Sequence, residues 1–335
     1  MADEKYIIYG SEYSPFSIKV RSYFRYKGIP HEWRPRTQDN LEHFKAHAKL
    51  PLVPLVLCPD GSALQDSTPI MEEMEKRYPD ASISLEEEAL NFLSFLLEEY
   101  ADEWGNKPMF HYRWWRDIDQ IAVAKGIASG VMPNASREEK EQYAANVRKR
   151  MVPRLSFVGS SEQTKEGIEA SLDEALELLE DHLSNRSFIF GGRPSFADFG
   201  LFCQLYGCTQ QPTTQVIIEA YSNVASWIDQ MLEPEAEGKF EEWDCLKETL
   251  TPFLQKQVGG LYLPWAVANA KALFSEEQRF TVTLKGRDFT QDTIKYTGRS
   301  FHILKNRFSK VEDRAQLEEI LLSSGCLEPL LKESW

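Results

Sequence analysis

Residues 6–26 read YIIYGSEYSPFSIKVRSYFRY. Tyr6 to Tyr9 form a short β-prone run, and Gly10 to Pro15 form a polar turn. Phe16 to Tyr26 then follow a helical pattern in which Val20, Phe24 and Lys27 recur at helical spacing. Strand, turn and helix in this order open an α/β unit. Gly28-Ile29-Pro30 stops the helix, His31 to Arg36 supplies a second strand and Asn40 to Lys49 a second helix, which completes a βαβ unit. Leu52 to Leu57 reads as a buried strand, Pro59-Asp60-Gly61 as a tight turn and Ala63 to Gln65 as the returning strand. Pro54 lies inside the first of these strands, where a proline normally argues against a central position. The conflict disappears if Pro54 is cis and the backbone turns outward there to meet a ligand.

From Leu85 onward the periodicity is helical almost throughout. Leu90, Leu93, Leu97 and Tyr100 recur at three- and four-residue spacing, as do Ile168, Leu172, Leu176, Leu179 and Leu183. Ser195 to Asp198, after Gly191-Gly192-Arg193-Pro194, reads as a capping box, and the helix it opens carries Phe199, Leu201, Phe202 and Leu205 on nearly every face, so it is expected to be central. Near Pro264 the texture changes: Phe280 to Leu284 and Phe289 to Tyr296 suggest a hairpin, and Ala315 to Ser323 a polar helix. The expected organisation is an α/β unit over 1–82, an all-helical unit over 88–255 and an extension over 256–335. That extension holds Trp265, Phe274, Phe280, Phe289, Tyr296, Phe301 and Phe308, too many aromatics for a disordered tail, so it is expected to pack on the body. Its apolar stretch Gly260 to Asn269 either folds over the interdomain cleft or only covers a helical face or a dimer contact.

The chain has 335 residues, 42% of them hydrophobic, which gives two domains a core each. A net charge of −14 repels phosphate backbones and argues against nucleic acid as a partner. Met1 to Lys5 lack the basic and apolar regions of a secretory leader, and no run approaches the ~20 apolar residues of a membrane span, so a cytoplasmic protein with no membrane partner is expected. The five cysteines, Cys58, Cys203, Cys208, Cys245 and Cys326, are odd in number and form no Cys-x-x-Cys pair; they read as structural thiols. His43 and His47 lie at i, i+4 without a zinc-protease glutamate or a third ligand, so no metal is expected.

Four features resemble the cytosolic glutathione transferase family over roughly 1–235. They are Ser14-Pro15-Phe16-Ser17 in the first β–α turn, Val53-Pro54-Leu55-Val56, Asp66-Ser67 opening a helix, and the Ser195 to Asp198 box; Trp227 fits the same pattern. The turn is most similar to the family's serine-type branch, and the tail, with Gly260 to Trp265 and Ala268-Asn269-Ala270, looks like an extension of longer bacterial members. The resemblance implies a thioredoxin-like N-terminal domain, an all-α C-terminal domain, glutathione as co-substrate and a homodimer.

A thiol with a pKa of about 8.5 is only roughly 3% ionised at pH 7, so a thiol transferase must stabilise the thiolate. Ser14, at the start of the helix, is the candidate: a hydroxyl donated to sulfur and the positive helix end both favour the anion. Lowering the pKa by two units takes about 2.7 kcal/mol, within reach of a charge-assisted hydrogen bond and a helix terminus. The alternative reading of Ser14 is a plain helix cap, and Tyr9 and Tyr13 are rival hydroxyls. Phe16 flanks the same turn. By the resemblance, Val53 before Pro54 pairs with the cysteinyl backbone, and Asp66 and Ser67 take the γ-glutamyl group. Leu52 stands where a basic or polar residue is often found, so the glycyl carboxylate needs Arg36 or Lys49.

Tyr100, Trp104, Phe110, Tyr112, Arg113 and Trp114 form an aromatic cluster with one cation, the candidate wall of a pocket for an apolar small-molecule electrophile. The function expected is glutathione transfer to that electrophile. A non-catalytic binding or scaffold protein of the same fold is the alternative. A glutathione-dependent reductase is weaker still, because it needs a cysteine where Ser14 stands.

Overall fold

The computed structural model describes residues 5–332; residues 1–4, read above for a leader, and 333–335, at the end of the expected extension, lie outside the described residues. The first strand β1 (Tyr6–Gly10) runs parallel to β2 (His31–Pro35) and antiparallel to β3 (Leu55–Leu57), and β4 (Ala63–Gln65) pairs with the far side of β3. Side chains alternate across a strand, so β1 serves two cores. Tyr6 and Ile8 meet Ile18, Val20 and Phe24 of α1 (Pro15–Tyr26) and Ile70, Met71 and Met74 of α3 (Ser67–Arg77). Ile7 and Tyr9 face Phe44 of α2 (Leu41–His47). The Val53–Pro54 bond is cis. The third strand is shorter than the sequence pattern suggests, starting at Leu55, because Pro54 has no N–H to give the ladder.

The helical part begins with α4 (Glu88–Tyr100), which passes through a π-helical turn, Ala101–Gly105, into α5 (Asn106–Trp115). Then follow α6 (Asp117–Val131), α7 (Arg137–Met151), α8 (Lys165–His182), α9 (Phe196–Thr209), α10 (Pro212–Glu219) and α11 (Ser222–Gln230). Helix α9 is buried on nearly all sides. Its N-terminal box is closed by Asp198, whose carboxylate accepts from Ser195 N (2.9 Å), Ser195 Oγ (2.7 Å), Ile189 N (2.8 Å) and Trp227 Nε1 (3.3 Å). Burial pushes this carboxyl up to about 6 against those donors.

Beyond them lie α12 (Trp243–Phe253), a π-helical segment (Leu254–Tyr262), α13 (Leu263–Phe274), the hairpin β5 (Arg279–Leu284) and β6 (Arg287–Asp292), then α14 (Lys295–Lys310), α15 (Ala315–Ser323) and α16 (Leu327–Leu331). One expectation changes and one alternative is decided. The second hairpin strand ends at Asp292, and Tyr296 belongs to α14, a helix whose Phe301, Leu304 and Phe308 are buried at helical spacing. Of the alternatives for the stretch Gly260 to Asn269, the structure has the covered helical face. Leu261, Tyr262, Leu263 and Trp265 are buried, with Tyr262 against Tyr100 (ring centroids 6.4 Å apart) and Trp265 against Trp104 (6.0 Å). The buried amine of Lys107 lies 3.8 Å from the Trp265 ring and donates to Gln291 Oε1 at 2.8 Å. Burial lowers that amine to about 7.

The α/β and helical parts are tied through Lys19 of α1, whose side chain is wholly buried. Its Nζ donates to the Glu98 carboxylate of α4, to Asp102 Oδ2 in the π-turn (2.8 Å) and to Thr68 Oγ1 of α3 (3.3 Å), and Thr68 in turn donates to Glu98. Burial alone lowers a lysine pKa, but Asp102 and Glu98 outweigh it and hold this ammonium above the usual range. Removing it strands two carboxylates in a largely dry site. We expect Lys19→Met to cost about 3–5 kcal/mol of unfolding free energy, measured by urea titration. A loss under about 1 kcal/mol contradicts the role assigned to the network.

Candidate functional site

A cleft of about 510 Å³ opens where the 49–54 loop, the start of α3, the first turn of α1 and the π-turn meet. Phe16, Lys49, Val53, Pro54, Asp66 and Ser67 all line it. So do Leu50, Leu52, Gln65, Asp102, Glu103 and Tyr296, which the sequence reading did not single out as ligand contacts. Leu50 and Leu52 are 57% and 62% exposed, apolar side chains left for a ligand to cover.

Ser14 is half-buried at the N-cap of α1, its Oγ accepting from Ser17 N at 3.3 Å, two residues before Phe16 on the cleft wall. The rival hydroxyls are held elsewhere. Tyr9 is fully buried on the α2 side of the sheet, where its hydroxyl meets His43 Nδ1 (2.7 Å) and receives Arg34 Nη1 (3.2 Å). The Tyr13 hydroxyl rests on α6: a Cβ built on Gly126 falls 1.7 Å from it.

Asp66 occupies the N-cap position of α3 without capping it. Its backbone takes φ 79°, an uncommon conformation for a residue with a side chain, and its carboxylate makes no hydrogen bond to the helix amides. Instead Oδ2 accepts from the Tyr296 hydroxyl at 2.8 Å. Ser67 beside it is buried. Arg36 is not on the lining; its Nη1 donates to Pro51 O at 3.0 Å, holding the loop from behind, and burial lowers its pKa. Lys49 is the cation that faces the cleft.

The loop owes its shape to Gln65. Oε1 accepts from Lys49 N (2.7 Å) and Leu50 N (3.0 Å), while Nε2 donates to Leu50 O (2.9 Å) and Leu52 O (3.0 Å). Nothing in an edge-strand glutamine announces this. Asp102 and Glu103 had a signal: four acidic residues, Glu98, Glu99, Asp102 and Glu103, interrupt an otherwise apolar helical stretch. Burial raises Asp102, with Lys19 opposing, and its Oδ1 has no hydrogen-bond partner.

The aromatic set divides. Phe110 and Trp114 pack with Tyr13, and Arg113 donates to Tyr13 O (2.8 Å) and Gly207 O (3.1 Å), its pKa drawn down to about 10 by burial. Tyr100 turns to the tail, donating to Gln257 Oε1 at 2.9 Å. Trp104 lines a separate cavity of about 260 Å³ between α8 and the β5–β6 hairpin. Tyr112 is buried in the main core.

The His43 and His47 rings lie 4.7 Å apart, and His47 Nδ1 is engaged by His43 O. Among the described residues no group of three His, Cys, Asp or Glu gathers to hold a metal, and no helix is long and apolar enough to cross a membrane. Cys58, Cys203, Cys208 and Cys326 are buried and Cys245 is exposed. Burial raises the Cys203, Cys208 and Cys326 thiols, the last two to about 12.

Thioredoxin-like sheet, cis-proline loop and helical second part together define the glutathione S-transferase fold. Residues 8–82 match the family model for the glutathione S-transferase N-terminal domain and residues 162–230 that for the C-terminal domain, which supports this family for the chain. The isoprene-epoxide–glutathione S-transferase of Rhodococcus sp. (strain AD45) is 25% identical over 204 residues, covering 59% of this chain and 82% of that protein. Among solved structures, glutathione transferase GSTFuA3 from Phanerochaete chrysosporium is 16% identical with a TM-score of 0.48, covering 71% of this chain and 99% of that one. A glutathione S-transferase from Rhodospirillum rubrum F11 is 17% identical with a TM-score of 0.42, covering 67% and 86%.

Gln65→Ala removes four hydrogen bonds from the cleft loop. We expect the Leu50 amide to exchange at least about tenfold faster, with a global loss of only about 1–2 kcal/mol. Unchanged exchange at Leu50 would show that the loop is held by other contacts.

Proposed function

We propose that the chain is a glutathione transferase in which Ser14 stabilises the bound thiolate. The observation that carries this reading is the meeting of Val53–Pro54, Asp66–Ser67 and the first turn of α1 on one cleft. The cleft is polarised: Asp66, Asp102 and Glu103 make one part acidic, and Lys49 supplies a cation on the loop. A peptide with an ammonium at the γ-glutamyl end and a carboxylate at the glycyl end suits that arrangement. Val53 lies outside the β3 ladder, which supports its main chain as the partner of the cysteinyl backbone.

In the reaction the thiol gives up its proton to solvent, and the thiolate, steadied by the Ser14 hydroxyl and the α1 terminus, attacks an electrophilic carbon. A sulfur–carbon bond forms as the bond to the leaving atom breaks; with an epoxide, the ring oxygen takes the electron pair and then a proton. Of the aromatic set, half-buried Tyr13 and Phe110 pack with Trp114 in one cluster, and these two are our candidates for the acceptor wall. The name of the Rhodococcus relative makes an epoxide the first electrophile to test, beside aryl halides and aryl ethers, which lose a leaving group, and enones, which add the thiolate and take up a proton.

Ser14→Ala is expected to lower kcat by ten- to a thousand-fold, about 1.4–4 kcal/mol, with glutathione affinity nearly unchanged, because the hydroxyl acts on the thiolate and not on the peptide arms. Unchanged turnover removes Ser14 from the mechanism. Asp66→Ala is expected to act in the opposite way, weakening glutathione binding in calorimetry, since the ammonium is held in ground and transition states alike. Wild-type affinity would take Asp66 out of the site.

A further inference from the structure

Three large apolar side chains ring the cleft mouth with more than half their surface exposed: Leu50, Leu52 and Tyr296. The first two come from the cleft loop. Tyr296 comes from the second residue of α14, some 230 positions along the chain from Asp66, yet its hydroxyl donates to Asp66 Oδ2 at 2.8 Å. Its placement is built in from several sides. Buried Asn269 clamps the backbone just before α14, accepting from Ile294 N (2.8 Å) and donating to Ile294 O (3.0 Å). Thr297 donates to Glu103 Oε2 at 2.5 Å, and Ser300 to Oε1 at 3.4 Å, which joins the helix to the acidic wall of the cleft. Farther along, Arg307 donates to Glu72 of α3 at 2.5 Å. At Gly298 a Cβ would come within 2.6 Å of Leu273 Cδ1, so α14 sits close on α13 at the turn that carries Tyr296.

We infer that Tyr296 is a positioning residue for the γ-glutamyl end of glutathione, supplied by the chain's own C-terminal segment and acting through Asp66; the inference rests on the reading of this cleft as a glutathione site. The Asp66 carboxylate does not cap its helix, and Tyr296 is its hydrogen-bond partner among the described residues. Without that bond, no hydrogen bond from the described residues selects its rotamer. The phenol engages Oδ2 and leaves Oδ1 for a ligand ammonium. A carboxylate accepts several hydrogen bonds, so phenol and ammonium bind it together instead of competing. The exposed ring then stands as a wall at the end where Asp66, Asp102 and Glu103 gather, and the substrate class is a thiol bearing a free γ-glutamyl ammonium.

The test is Tyr296→Phe in the full chain, alone and combined with Asp66→Ala, with affinities for glutathione and for cysteinylglycine, which lacks the γ-glutamyl group. We expect Tyr296→Phe to weaken glutathione binding by three- to tenfold, with the effect on KM and not on kcat and with cysteinylglycine unaffected. In the Asp66→Ala background the same change is expected to do nothing further, because a residue acting through Asp66 has nothing left to orient. Equal or tighter glutathione binding by Tyr296→Phe overturns the inference while leaving the glutathione site standing. An equal loss for both thiols, or an undiminished effect without Asp66, also overturns it by marking Tyr296 as structural. No glutathione binding by the wild-type chain overturns the reading of the cleft and this inference with it.

Discussion

One buried ammonium sets the relation between the two halves of this protein. Lys19 leaves α1 of the thioredoxin-like part and ends among Glu98, Asp102 and Thr68, so α1, α3, α4 and the π-turn share one charge centre. An ion pair taken out of water adds little net stability, but it tolerates no alternative geometry, because any shift leaves a dry carboxylate unpaired. The consequence is felt at the cleft, where Asp102 is both a partner of Lys19 and a lining residue. The interdomain packing and the acidic wall of the cleft are one network.

The C-terminal segment is attached to the same place by different chemistry. Trp265 and Phe289 enclose Trp104 and the Lys107 amine, while Tyr262 and Phe253 pack on Tyr100. These rings cover the face of α4 and the π-turn that points away from the cleft, and α14 then returns along α4 to bring Thr297 and Tyr296 to the cleft side. Residues remote in sequence thus border the cleft, and hydrogen bonds to Glu103 and Asp66 tie the tail to it.

Short-range signals in the sequence were legible. The β1–turn–α1 unit, a cis Pro54 and the Ser195–Asp198 box each depend on a few neighbouring residues whose stereochemistry admits few alternatives. What depends on rotation about a helix axis was not. Tyr100 and Trp104 read as one cluster with Phe110 and Trp114, but the π-turn between them adds residues to the helical repeat and changes its phase, so the first pair faces the tail and the second faces Tyr13. Lys19, between Ile18 and Val20, carries no mark of burial, since its partners lie some eighty positions away. The first two residues of α14 fall in the run Phe289 to Tyr296 read as strand, where Thr293 and Ile294 are β-prone; Gly298, farther along the helix, answers to the close approach of Leu273, which only the folded chain reveals. Gln65 and Tyr296 stayed unseen for the same reason, as both act on backbone or side chains brought near by the fold.

The central claim is that this cleft lowers the pKa of a bound glutathione thiol. Thiolate absorbance of the glutathione complex, followed against pH at saturating glutathione and compared with Ser14→Ala, measures it directly. The expected midpoint lies about two units below the free-thiol value of about 8.5 and moves back toward that value when the Ser14 hydroxyl is removed. A bound thiol that titrates at its solution pKa in the wild-type protein contradicts the account and leaves a chain with the fold of a transferase and no means of activating its thiol.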